Sequence, residues 1–327
     1  MRPFRYARAT SPSEAVALTA GDPAAAFIAG GTELLNLMRD GVSALDLLVD
    51  VNGVAARDVS AIPGGLRIGA MARMTDVARD ATVRQRLPLL AEALLAGASG
   101  QVRNMASIGG NLLQRTRCWY FRDAAMPCNT RDPGSGCPAI DGENRWHAIL
   151  GGSQACIKVH PSDLAVALTA LDATVRTHGP NGERQIPIGE LYRLPGDTPH
   201  LETTLASGEL IVAVDVPTTA LAARSGYRKV RDRASFEFAL TSVAVALDLR
   251  DRVVADVRIA LGGVAPVPWR ARAAEDVLRG QPLTQPAIER AGEAAVRGAE
   301  PRQHNAFKVE LARRTVISVL ARLGDLT

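Results

Sequence analysis

Aromatic side chains are scarce here: six Phe, four Tyr and three Trp in 327 residues. Nucleic-acid binders interleave basic groups with stacking platforms. The dispersed arginines form no such face, so the net charge of +4 reads as solvated surface. No apolar run approaches the length that spans a bilayer, and "TSVAVALDL" has the length of a buried strand. The start, "MRPFRYARAT", lacks a hydrophobic h-region, so no export signal of its own is expected on the chain. Internal repeats and low-complexity segments are also missing. Cysteine is confined: the four residues, Cys118, Cys128, Cys137 and Cys156, fall in one segment, and none forms a C-x2-C pair.

What is present suits a chain of two or three domains with ample apolar residues for each core. Up to about residue 115, short strand and helix patterns alternate. "SEAVALTA" reads as a helix capped by Ser11 or Ser13. "AAFIAG", "ALDLLVDV" and "GLRIGA" read as strands, "TELLNLMRD" as a helix, and "TVRQRLPLLAEALLAGAS" as one long amphipathic helix. After a loop rich in Gly, Pro, Asn and Asp, "ACIKVHPSDLAVALTALDATVRTHG" predicts a short strand, a helix from Ser162 and a second strand. "GELIVAVDVP" closes this part as a strand. Beyond Thr218 strands come first ("SGYRKVRDR", "FALTSVAVALDLR", "VVADVRIALGGVAP") and helices follow, the pattern of a separate α+β domain.

Two glycine loops bear on ligand binding. "FIAGGTELL" puts Gly30 and Gly31 after a strand and Thr32 before a helix. "SIGGNLLQR" puts Gly109 and Gly110 between Ser107 and Asn111. Without Cβ atoms, such backbone can approach a phosphate, and free N–H groups can bind it. Neither loop is the G-x-G-x-x-G dinucleotide fingerprint, but the pair could clamp one pyrophosphate from two sides. Asp163, at a helix start, is either an N-cap or an acceptor for ribose or adenine.

The cysteine intervals are C-x9-C, C-x8-C and C-x18-C. Disulfides belong to small scaffolds in oxidising compartments. A four-thiolate zinc site usually takes close pairs. An iron–sulfur cubane offers four irons and accepts widely spaced ligands. Gly134 and Gly136 could aim N–H groups at sulfur, and Arg115, Arg117, Arg122 and Arg131 could offset the charge. Cluster, zinc and free thiols stay open on spacing alone.

Taken in order, "FIAGGTELLNLMRDG", "SIGGNLLQRTRC", "HPSDLAVALTALDATV", "GELIVAVDVP" and "YRKVRDRASFEFALTSVAVAL" resemble the FAD-binding (medium) subunit of the xanthine dehydrogenase family of molybdenum hydroxylases. The likeness covers essentially the whole chain. The cysteine segment resembles that of the flavin subunit of bacterial periplasmic aldehyde oxidoreductases, and the resemblance implies a [4Fe-4S] cluster on all four cysteines. It implies an α+β fold: a two-part FAD-binding domain of the vanillyl-alcohol-oxidase type over 1–218, then a carbon monoxide dehydrogenase flavoprotein C-terminal-like domain over 219–327. The first domain would divide near 1–58 and 59–218 and carry the cysteine insertion at about 115–156.

The same resemblance implies site residues. Ala26, Phe27, Ile28, Ala29, Gly30, Gly31, Thr32, Glu33 and Leu34 would bind the FAD diphosphate. Ser107, Gly109, Gly110 and Asn111 would meet it from the other side. Asp163 would serve the adenosine end and Lys229 would lie near the isoalloxazine; a solvent-exposed strand-end lysine is the plain alternative for Lys229. Partners would be a molybdenum-cofactor large subunit and a small subunit with two [2Fe-2S] clusters, in a heterotrimer that delivers electrons to an external acceptor. The expected compartment is the periplasm, by co-export with a signal-bearing partner, or the cytoplasm. A self-contained FAD-dependent oxidoreductase and a zinc-containing interaction protein are the alternatives. Against the first stands the lack of any His/Asp or Tyr/Arg constellation, with His147, His160, His178, His200 and His304 scattered.

Overall fold

The computed structural model describes residues 2–326. Three sheets organise the chain. The first is parallel, with β1 (Arg5–Arg8), β2 (Ala25–Ile28) and β3 (Leu47–Asp50) in the order β1-β3-β2. The second is antiparallel, with β4 (Val59–Ile62), β5 (Gly65–Gly69), β6 (Thr174–Gly179), β7 (Gly182–Pro187) and β8 (Leu210–Pro217) in the order β4-β5-β8-β6-β7. The third holds β9 (Ser225–Val230), β10 (Thr241–Arg250), β11 (Val253–Gly262) and β12 (Trp269–Arg270) in the order β12-β11-β10-β9.

Strand alternation decides how the third sheet is used. Along β10, Val243, Val245 and Leu247 face a core shared with the helices Arg272–Leu278, Gln285–Ala295 and Phe307–Leu323. Ala244 and Ala246 point the other way, into the core of the preceding domain. Successive strand residues face opposite sides, so one strand serves two cores. The alanines let the helix Asp163–Ala170 lie directly on β10 and β11. Its N-cap is Ser162, whose hydroxyl accepts the Ala165 N–H at 3.0 Å. This contact forms one wall of the site described below.

Two sequence expectations are corrected. The single helix expected over "TVRQRLPLLAEALLAGAS" is two, Ala81–Arg86 and Pro88–Ala96. Leu87 between them has φ −136° and ψ 55°, because a residue before proline is driven out of the helical region. The strand expected at "ACIKV" does not form. Ile157 instead accepts the Ala148 N–H through its carbonyl, and His160 donates to Ala265, at 2.9 Å each. These bonds join separate loops rather than a ladder.

Lys308 is fully buried, and among the described residues no carboxylate pairs with it. It donates to the carbonyls of His147, at 2.7 Å, and Gly263, at 2.5 Å. Burial, helped by the charge of Arg145, pulls its pKa down from 10.5 to about 7. Between these values the unfolded chain binds more protons than the native one, so stability rises with pH across that window. Replacing Lys308 with methionine is expected to flatten the pH 7–10.5 slope of the unfolding free energy, read from urea titrations at each pH.

Candidate functional site

A cavity of about 820 Å³ runs between the first two sheets and the third. The loop following β2 forms one side. Among the described residues, the N–H groups of Gly30, Gly31, Thr32, Glu33 and Leu34 have no partner in the protein. They form a row of unused donors on the cavity wall, and Gly31 holds a φ of +69° that favours glycine. The segment Ser107–Asn111 lies opposite, and the two loops touch: a Cβ on Gly30 would fall onto the Met105 carbonyl, 2.7 Å from its carbon. The structure thus brings both glycine loops to one cavity.

Their chemistry differs from the symmetrical clamp expected. Gly109 donates to Ala70 at 2.9 Å and Gly110 to the Ser107 hydroxyl at 3.2 Å. The Asn111 side chain is engaged at both ends, donating to the Met74 sulfur at 3.2 Å and accepting from the Ser162 hydroxyl at 2.6 Å. Free amides therefore come from the first loop. The second supplies close approach and fixes the helix that begins at Asp163.

Asp163 and Lys229 both line this cavity and form an ion pair at 2.7 Å. Lys229 is not the solvated strand-end residue: its side chain is 3% exposed, and it also donates to the Ala96 carbonyl at 3.3 Å. The Tyr227 hydroxyl donates to Asp163 as well, at 2.5 Å. Burial, then the Asp163 charge, drives the Tyr227 pKa well up. The structure thus brings Asp163 and Lys229, 66 residues apart in sequence, to one point on the cavity wall.

Glu33 ties the first loop to the cysteine segment. Its carboxylate pairs with Arg117 and Arg122, each at 2.5 Å, and accepts the Arg115 N–H at 3.1 Å. The other two arginines of the segment are also engaged. Arg115 pairs with Glu202 at 2.5 Å, and Arg131 donates to the carbonyls of Phe121 and Tyr120 at 2.7 and 3.1 Å. The N–H groups of Gly134 and Gly136 do not aim at sulfur. Both donate to the Asn129 side chain, at 3.1 and 2.8 Å, closing the turn between Cys128 and Cys137.

Among the described residues no disulfide joins the four cysteines, and all four line one small cavity with Thr130, His147 and Lys158. Among the described residues, no three His, Cys, Asp or Glu side chains converge closely enough to hold a single metal ion. Burial pushes the Cys118 thiol up to about 12. Cys156 is drawn down to about 6, first by the Cys137 thiol beside it and also by Lys158 and Thr130. His147 Nε2 stands 3.1 Å from the Cys118 sulfur. Burial and the Lys308 charge push the imidazole down to about 4 and keep it neutral. Lys158 and His147 escaped the sequence reading. A cation two residues after Cys156 was the one available hint; a histidine 29 residues from its cysteine gave none.

A second cavity of about 290 Å³ links the two sites, with Cys118, Trp119 and His147 at one end and Asp163 and Phe238, shared with the larger cavity, at the other.

Comparison with known proteins agrees along the whole chain. The family described as the FAD binding domain in molybdopterin dehydrogenase matches residues 2–219, and the CO dehydrogenase flavoprotein C-terminal domain matches residues 225–323. The aldehyde oxidoreductase FAD-binding subunit PaoB of Escherichia coli is 49% identical over 323 residues, covering 98% of each chain. A chain of carbon monoxide dehydrogenase from Hydrogenophaga pseudoflava superposes with a TM-score of 0.76 at 28% identity, over 98% of this chain and 96% of that one. A chain of quinoline 2-oxidoreductase from Pseudomonas putida 86 gives a TM-score of 0.76 at 25% identity, over 98% and 97%. The fold, the paired glycine loops and these relatives establish that the chain belongs to the FAD-binding subunits of the molybdenum hydroxylase family of oxidoreductases.

Proposed function

We propose that this chain is the FAD- and [4Fe-4S]-carrying electron-transfer subunit of a molybdenum-dependent aldehyde oxidoreductase. In that complex a large subunit with the molybdenum cofactor oxidises the aldehyde, and a small subunit with two [2Fe-2S] clusters passes electrons on. FAD, when bound, links one-electron donors to a two-electron acceptor. Residues 26–34 hold the diphosphate, with the free amides of Gly30 to Leu34 as donors; Gly109 and Gly110 give it room, Asp163 serves the adenosine end and Lys229 lies near the isoalloxazine.

The observation that carries the cluster reading is the convergence of all four cysteines on one cavity without three of them meeting at a single point. That arrangement suits a polynuclear group, in which each iron takes its own thiolate, better than mononuclear zinc. Lys158, which pairs with Glu202 at 2.8 Å and donates to Thr130 at 3.3 Å, brings positive charge beside Cys156. The segment also braces the fold: Cys128 packs with Phe121 and Leu37, and Leu37 belongs to the helix that follows the diphosphate loop. We therefore favour a structural or interface role for the cluster.

The test is anaerobic purification of the chain with its partner subunits, followed by flavin, iron, acid-labile sulfide and zinc assays and EPR. One FAD and one four-iron cluster per chain are expected. Zinc in place of iron and sulfide would overturn the cluster, and aldehyde turnover by the isolated chain would favour a self-contained flavoenzyme.

A further inference from the structure

We propose that His147 raises the reduction potential of the [4Fe-4S] cluster by donating its Nε2–H to the sulfur of Cys118. The proposal rests on the cluster reading above and holds whether the cluster relays electrons or braces the segment. The two atoms stand 3.1 Å apart. A metal-bound thiolate has no proton to give, so a hydrogen bond between them must run from nitrogen to sulfur. Nothing draws that proton to the other side of the ring: His147 is 2% exposed, and its Nδ1 has no partner among the described residues.

The imidazole is also held in place. The His147 N–H donates to the Asn144 carbonyl at 2.9 Å. Its own carbonyl accepts from Lys308 at 2.7 Å and from Asn305 at 3.3 Å. All three partners are buried, so the ring is positioned by the C-terminal domain as much as by its own segment. Among the four cysteines, Cys118 alone lines the cavity that leads toward Asp163 and Phe238. The hydrogen bond thus falls on the ligand that faces the flavin cavity. Reduction adds negative charge to the cluster and its sulfurs, and an N–H dipole on a sulfur stabilises the reduced form more than the oxidised one.

The experiment uses the assembled complex and an EPR-monitored redox titration of the cluster. His147→Phe keeps a flat ring and removes the donor; His147→Gln returns an N–H at similar reach. A roughly tenfold weaker electron affinity is expected for His147→Phe, a fall of about 59 mV for a one-electron couple, with His147→Gln recovering most of it. An unchanged midpoint in a His147→Phe complex with wild-type iron content overturns the proposal. Should that variant lose its cluster, pulsed EPR on wild-type complex labelled with 15N-histidine decides. A ring-nitrogen coupling to the reduced cluster supports the hydrogen bond, and no coupling overturns it. Wild-type complex lacking iron and acid-labile sulfide overturns the cluster reading and this proposal together, an outcome distinct from a cluster with an unmoved potential.

Discussion

Alanine at position 30 is expected to strip the protein of flavin. The added methyl would fall on the Met105 carbonyl, an obstacle made of backbone that cannot rotate aside. Relief requires the loop after β2 and the segment Met105–Asn111 to part. Overpacking of this kind costs about 1–3 kcal/mol in stability. The effect on binding is larger, because the free amides from Gly30 to Leu34 work only when aligned along one wall. Flavin affinity should fall by about a hundredfold or more, some 2.7 kcal/mol, read as the flavin-to-protein absorbance ratio after gel filtration. Gly100→Ala is the control: a Cβ there meets nothing within 4 Å, so flavin content should stay at the wild-type level. Full flavin content in Gly30→Ala would mean that the loops do not act as a pair.

Serine at position 128 should have an equally large but different effect. Cys128 is buried beside Leu37 and Phe121, and serine nearly matches its size, so the loss reports the missing thiolate. Iron content is expected to fall by about tenfold or more, as for a broken metal site. Recovery of the complex with its partner subunits should fall several-fold, with flavin occupancy within about twofold of wild type. Co-purification yields and cofactor assays on one preparation separate these quantities. A variant that assembles normally and loses turnover would speak for a relay instead of a brace.

Much of the architecture was legible in local pattern. The alternation in "TSVAVALDL" and the Ser162 cap before an apolar run each fix an element through contacts a few residues away. Other elements carry no such signal. β7, "GERQIP", is mostly exposed and pairs only with β6 at the sheet edge. β1, "RYAR", is held by register with β3 rather than by burial. The break at Leu87–Pro88 was legible, but the continuous apolar run around it pointed to one helix.

The site divides in the same way. The glycine loops and the cysteines announce themselves by residue type. Their electrostatic partners do not, because Glu33 meets Arg117 and Lys229 meets Asp163 across long stretches of chain. Sequence proximity had assigned charge compensation to nearby arginines. The structure pairs those arginines with Glu33, Glu202 and backbone carbonyls, and sets Lys158, itself paired with Glu202, beside Cys156.

Ile149 and Leu150 lie within the cysteine segment, yet they are packed in the core of the C-terminal domain, with both N–H groups donating to the Val264 carbonyl. Glu300 donates in turn to Ile149. A protein engineer who divides the chain between residues 219 and 225, where the two family matches part, would therefore leave the second fragment with an unfilled apolar hole. Chimeras that graft a relative's carboxy-terminal half onto this chain need to transplant residues 147–150 with it. Fragment-complementation designs face the same rule, because the cleanest cut in sequence is not a cut in the packing.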